Sequence, residues 1–165
     1  QGRWSVRFIN CQTHSTSAMK IDSTTIEIVK HLRDGKKSPK KIAEHLSLSE
    51  NTVRSRINRL KAEGILDITG IIDPQAVPGH RIVIIGVKLA TMDLVKQGEA
   101  FSRLRGVVSV SVVTGRFDLV VVVMLNEGFG LLEFYTREVA DIKDVQSVET
   151  FVVYKGYNLK VPYIL

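Results

Sequence analysis

Apolar positions follow a helical period from residue 22 to about residue 63, and alternate between strand-like and helical runs after residue 81. Asp22 is placed to cap a first helix, in which Ile26, Val29 and Leu32 recur at i, i+3 and i+6 and Ile28 widens the stripe. Gly35 ends it. Ser38-Pro39 opens a second helix with a capping residue and then proline at the first helical position, where a missing N–H costs nothing. Ile42, Ala43 and Leu46 form its buried face, and Ser47-Leu48 makes a turn. Ser49 caps a third helix, which runs to about Glu63 and is closed by Gly64 in a left-handed conformation. Val53, Ile57 and Leu60 are its core stripe. The opposite face holds Asn51, Ser55 and Asn58, flanked by Thr52, Arg54 and Arg59. Ile65–Ile72 reads as extended, and Asp73-Pro74 to Pro78-Gly79 as a linker.

From Arg81 the pattern is strand (Arg81–Ala90), helix (Met92–Leu104, with Leu94, Val95, Phe101 and Leu104) and a Val/Ser-alternating strand (Val107–Thr114). A Gly115-Arg116 turn follows, then an apolar strand (Phe117–Leu125). A helix over Phe129–Ile142 carries Phe129, Leu132, Tyr135, Val139 and Ile142, and a last strand spans Val145–Tyr154. The stretch Leu104–Val110 resembles Ile142–Val148, as expected for two halves of a duplicated unit. The expected class is α+β: an N-terminal helix-turn-helix, winged-helix-like domain and a C-terminal ferredoxin-like βαββαβ domain with helices on one face of an antiparallel sheet. The expected boundaries are 19–70 for the first domain, 71–80 for a linker, 81–157 for the second domain and 158–165 for a tail. Residues 1–18 have neither period. Gln1–Ala18 is read as a tag or other non-native stretch ahead of Met19, the alternative being a flexible arm that uses Arg3, Trp4 and Arg7.

Charge follows the same division. Up to Gly70 there are 13 Lys/Arg and 7 Asp/Glu; from Ile71 onward there are 10 of each, so the first block carries the whole net charge of +6. A basic block joined to a neutral one indicates two modules, one suited to a polyanion. The longest apolar run, Leu119–Leu125, is strand length and well short of the roughly 18 residues of a membrane span. Cys11 has no partner for a disulfide or a cysteine zinc finger, which fits a cytoplasmic protein. His14, His31, His45 and His80 have no metal-ligand spacing, and there is no phosphate loop or nucleophile elbow, so the expectation is no enzyme, no metal and no cofactor.

In a helix-turn-helix the second helix of the pair enters the major groove. Asn pairs bidentately with adenine and Arg with guanine. Asn51, Ser55 and Asn58 are therefore base-reading candidates, and Arg54, Arg56 and Arg59 suit either bases or phosphates. Ser49 and Thr52 complete the exposed start of the helix. Lys36, Lys37, Lys40 and Lys41 are placed to neutralise phosphates. Double-stranded DNA is the expected partner. The competing account is an ordinary helical bundle with solvated lysines. No aromatics interleave the basic residues, as a single-strand binder would want.

The run Ile42-Ala43-Glu44-His45-Leu46-Ser47-Leu48-Ser49, followed by Val53 to Ile65, resembles the helix-turn-helix of the leucine-responsive regulatory protein/AsnC family. Val112-Val113-Thr114-Gly115-Arg116-Phe117-Asp118 is similar to that family's strand-turn-strand signature. The resemblance spans about Met19 to Tyr157. It implies a transcription regulator that dimerises through its C-terminal sheets, often builds octamers, and binds an amino-acid effector near the Gly-x-x-Asp turn. Carried over by position, Gly115, Arg116 and Phe117 line that site, Asp118 receives an α-ammonium, and Thr150, Phe151 and Val152 form another wall. Arg116 and Leu119 stand where the family commonly has an acidic and an aromatic residue, which favours an acidic or α-carboxylate ligand, or none. On the other reading of the turn, Gly115 only permits a hairpin and Asp118 pairs with Arg116 or caps a backbone group. Two further alternatives are an effector-free architectural DNA-binding oligomer and a sirohaem decarboxylase-like enzyme of the same architecture. Against the latter, His80-Arg81-Ile82 lacks the expected Asn-Tyr.

Overall fold

The structure, a computed structural model, describes residues 21–33 and 35–165. Gln1–Ala18 lies outside them, so the tag and arm readings have no structural counterpart here. The chain divides into two compact units, one ending at Ile68 and one running from Thr69 to Leu165.

The first unit holds α1 (Ser23–Leu32), α2 (Pro39–Leu46) and α3 (Glu50–Ala62). Each starts at an expected cap. The Asp22 carboxylate accepts from the Thr25 N–H at 2.8 Å, the Ser38 hydroxyl from Lys41 at 3.3 Å and the Ser49 hydroxyl from Thr52 at 3.1 Å. Ser47 takes a left-handed conformation (φ 53°) and makes the tight turn between α2 and α3. Ile28, Ile42, Ala43, Val53 and Ile57 form the core, joined at its margin by Leu32, Leu46, Leu48 and Leu66.

The stripe expected on α1 is displaced. Ile26 and Val29 are 47% and 40% exposed, whereas Thr25 and Ile28 are fully buried. Thr25 can hold a core position because the Arg56 guanidinium, reaching over from α3, donates to its hydroxyl at 2.6 Å. A buried hydroxyl with a partner is tolerated where an orphan one is not.

The second unit holds β1 (Ile71–Ile72), a 3-10 turn (Pro74–Ala76), β2 (Arg81–Leu89), α4 (Leu94–Ser102), β3 (Val107–Val112) and β4 (Leu119–Leu125). Then come α5, β5 (Val145–Val152) and β6 (Val161–Pro162). α5 begins as one α turn, Leu131–Glu133, and continues as a π-helix, Phe134–Val139. The main sheet is antiparallel with order β3-β4-β2-β5, the ferredoxin-like arrangement. Val83, Ile85, Val87 and Leu89 of β2 and alternate residues of β4 face Phe101 of α4 and Phe134 and Val139 of α5. The π-helical stretch shifts the phase of α5. Leu132, expected on the apolar stripe, is 71% exposed, and Phe134 is buried instead.

The segments expected as a linker and a tail are not free. Ile71 and Ile72 pair with Pro162 and Val161. Val161 also packs with Ile82 and Met124 against the sheet face that lacks helices. The cause lies in β2 and β4, which are apolar on both faces and so need a cover on each.

Candidate nucleic-acid interface and effector site

α3 is amphipathic in the sense a groove-reading helix requires. Val53, Ile57 and Leu60 are buried, while Asn51, Thr52, Arg54, Ser55, Asn58 and Arg59 are exposed. Ser49 caps the helix, its hydroxyl also lying 2.8 Å from that of Thr52. Arg54 and Arg59 pair along the helix with Glu50 (2.6 Å) and Glu63 (2.8 Å). Exposed i,i+4 pairs of this kind contribute about 0.3–0.5 kcal/mol and are readily exchanged for a phosphate or a base. Arg56 differs from both. It donates to Asp22 and to Thr25, each at 2.6 Å, and ties α3 to α1, so it serves the fold rather than a ligand. Its hydrogen bond, with that of Thr25, holds the Asp22 carboxyl far below the usual carboxylate range. Lys40 is exposed on the first turn of α2.

In the second unit the β3–β4 turn bends over the helix-free face of the sheet. Gly115, at φ +128°, has a conformation that favours glycine, with open space where a Cβ would be. Phe117 lies over Gly86 of β2, where an added Cβ would come within 2.6 Å of the ring. Phe151 meets Phe117 edge-on at 6.3 Å. Arg116 forms an exposed ion pair with Glu149 at 2.8 Å. Asp118 is occupied: Oδ1 accepts from Lys88 Nζ at 2.8 Å and Oδ2 from the Leu89 N–H at 2.8 Å. The Leu89 N–H, then Lys88, hold its carboxyl below the usual range. Of the two readings of the turn, the backbone-capping one describes Asp118, although its charged partner is Lys88 and not Arg116.

Strand register divides the other candidates. Phe151 pairs with Ile84, and Glu149 with Gly86, on the helix-free face. Thr150 and Val152 project to the opposite side, where the Thr150 hydroxyl lies 2.6 Å from that of Tyr135. The structure thus gathers Arg116, Phe117 and Phe151 and parts them from Thr150 and Val152. It adds Glu149 and Lys88, which the sequence reading did not select. Lys88 had a signal, as the single charge within Ile82–Leu89; Glu149 had none without the register.

Comparison with known proteins gives two family matches in series. Residues 21–67 match a winged helix-turn-helix DNA-binding domain, and residues 82–160 match the Lrp/AsnC ligand binding domain. The second unit thus carries an Lrp/AsnC ligand binding domain. The HTH-type transcriptional regulator FL11 of Pyrococcus horikoshii is 28% identical over 140 residues, covering 84% of this chain and 91% of the relative. The crystal structure of PH0061 superposes with a TM-score of 0.72 at 22% identity over 87% of this chain and 99% of that one. The transcriptional regulator NMB0573 of Neisseria meningitidis, solved with L-Met, has a TM-score of 0.61 at 20% identity over 81% of this chain and 90% of that one. The chain is a transcriptional regulator with a DNA-binding helix-turn-helix and an Lrp/AsnC ligand-binding domain, and its named relatives decide against the enzyme alternative. No helix among the described residues is long and apolar enough to cross a membrane.

Proposed function

We propose that this regulator binds specific DNA sites as an oligomer and that a small zwitterion, of the amino-acid class, adjusts that binding. The observation that carries the DNA part is the outward face of α3. Asn51, Ser55 and Asn58 are exposed there with no side-chain partner among the described residues, between arginines held only by exposed ion pairs. Asn51, Ser55 and Asn58 read base edges, Arg54 and Arg59 read bases or phosphates, and Ser49, Thr52 and Lys40 hold the backbone.

For the effector, the support is the exposed Arg116–Glu149 pair beside Phe117 and Phe151. A zwitterion can replace that pair, its carboxylate on Arg116 and its ammonium on Glu149, with its side chain on the two rings. Gly115 keeps the turn open for it. Asp118 holds the turn against β2 and is a positioning residue. The neisserial relative bound to L-Met supports the amino-acid class. Phe151, 46% exposed on the helix-free face, supports protomers meeting there as dimers that build larger assemblies such as octamers. Binding between protomers then favours one arrangement and changes the affinity for paired half-sites.

The test is fluorescence anisotropy with duplex from upstream of the protein's own gene against random duplex, at two salt concentrations. Tighter binding to the upstream duplex that survives higher salt is expected. Equal, salt-sensitive binding to both would leave only a basic surface. In the same assay, Arg116→Gln or Glu149→Gln abolishes the response to the effector while leaving DNA affinity without effector unchanged.

A further inference from the structure

Away from the α3 face, the first unit has a second basic feature. A cavity of about 660 Å3 lies where α1 ends and the loop into α2 begins. It is lined by Lys30, His31, Arg33 and Lys37, with no carboxylate among the described lining residues. Lys30 is paired with Glu27 at 2.7 Å; Arg33 and Lys37 make no ion pair among the described residues.

The lining is held in place. The Lys37 ammonium donates to His31 Nδ1 at 3.0 Å. An ammonium only donates, so Nδ1 presents a lone pair and the imidazole carries its proton on Nε2. The His31 ring packs on His45 of α2 at 5.4 Å, and His45 Nδ1 in turn donates to the Lys41 carbonyl at 2.7 Å. Lys37 keeps two N–H groups free of that bond. Lys30, in the last turn of α1, offsets the helix dipole and pairs with Glu27. That accounts for Lys30, and not for Arg33 and Lys37 lining the same cavity beyond the helix end. Arg33 and Lys37 share a concave surface with no counter-charge for either among the described residues, so they repel one another, and an oxyanion seated between them relieves that repulsion.

We infer that this cavity seats a phosphate of the DNA backbone, so that the α1 end contributes contacts in addition to α2 and α3. The inference rests on the DNA-binding reading above. A phosphate carried by a polymer suits a cavity whose lining is exposed or half-buried better than a free solute, which gains most from being engulfed.

The experiment uses the full chain with upstream and random duplexes over a range of salt. Arg33→Gln and Lys37→Gln, made singly, are each expected to lower the slope of log affinity against log salt by about 0.9. Both duplexes weaken by the same several-fold factor. Lys143→Gln, the same charge change in the second unit, does neither. Unchanged slopes in Arg33→Gln and Lys37→Gln, with Arg59→Ala still weakening the upstream duplex, overturn this inference and leave the α3 reading standing. A lowered Tm with unchanged slope likewise overturns it, since the residues then only serve the helix end. No wild-type binding to any duplex overturns both. A second arm follows the histidine side-chain resonances by NMR as inorganic phosphate is added. Movement of His31 with phosphate, joined to unchanged DNA slopes, assigns the cavity to a free phosphate and overturns the DNA assignment.

Discussion

Thr25 shows how one residue redirects a helix face. Its hydroxyl is buried, and Arg56 satisfies it while also pairing with Asp22. The sequence pattern weighs apolar residues, so it selected Ile26 and Val29 and passed over a threonine whose partner lies 31 positions away. Arg56→Ala removes the guanidinium from that hydroxyl and from the Asp22 carboxylate. The expected loss of stability is about 1–3 kcal/mol in urea unfolding, with unchanged DNA affinity per folded molecule. Asp22 and Asp118 have depressed folded-state values, so the unfolded chain takes up their protons first as the pH falls. Their contribution is present above the ordinary carboxylate value of about 3.9 and is lost as pH falls below it toward the folded values. Melting temperature should drop across that window, and less steeply in Asp22→Asn and Asp118→Asn, each of which starts lower near neutral pH.

At the scale of elements, caps and turns were legible because their chemistry is local. Asp22, Ser38 and Ser49 bond backbone groups three residues on. The phase of α5 was not legible. A π-helix arises when packing holds an extra residue per turn, and Phe134 rather than Leu132 fills the space between α5 and the sheet. The packing of Phe117 on Gly86 is a second such case, because turn and strand meet only after β2 and β4 pair. Gly86→Ala is expected to push the ring off the sheet. Tryptic digestion then cuts faster at Arg116, and the effector response is lost before DNA binding is. Unchanged cleavage at Arg116 with an intact response would mean that the ring is not needed where it lies.

For the whole molecule, the charge boundary near Gly70 and the division after Ile68 nearly coincide, since the basic unit and the neutral unit are separate packing problems. The chain end is structural. Removing residues 158–165 takes Val161 from Ile82 and Met124 and leaves β1 unpaired. Exposed core surface should then bind a hydrophobic dye, and the second unit should melt lower while the helices of the first are unaffected; a truncated chain that melts like the full one would show the cover to be dispensable. By itself the sequence determined the helices, their caps, the order of strands and the polar face of α3, because propensity, capping and periodicity act over a few residues. The tertiary structure alone decided that Arg56 is a tie between helices and that Asp118 is already occupied. It also decided that Thr150 and Phe151 lie on opposite faces, and that the linker and tail pair to cover a sheet. Those outcomes depend on register and on partners far along the chain, and a local pattern carries no information about which distant group will arrive.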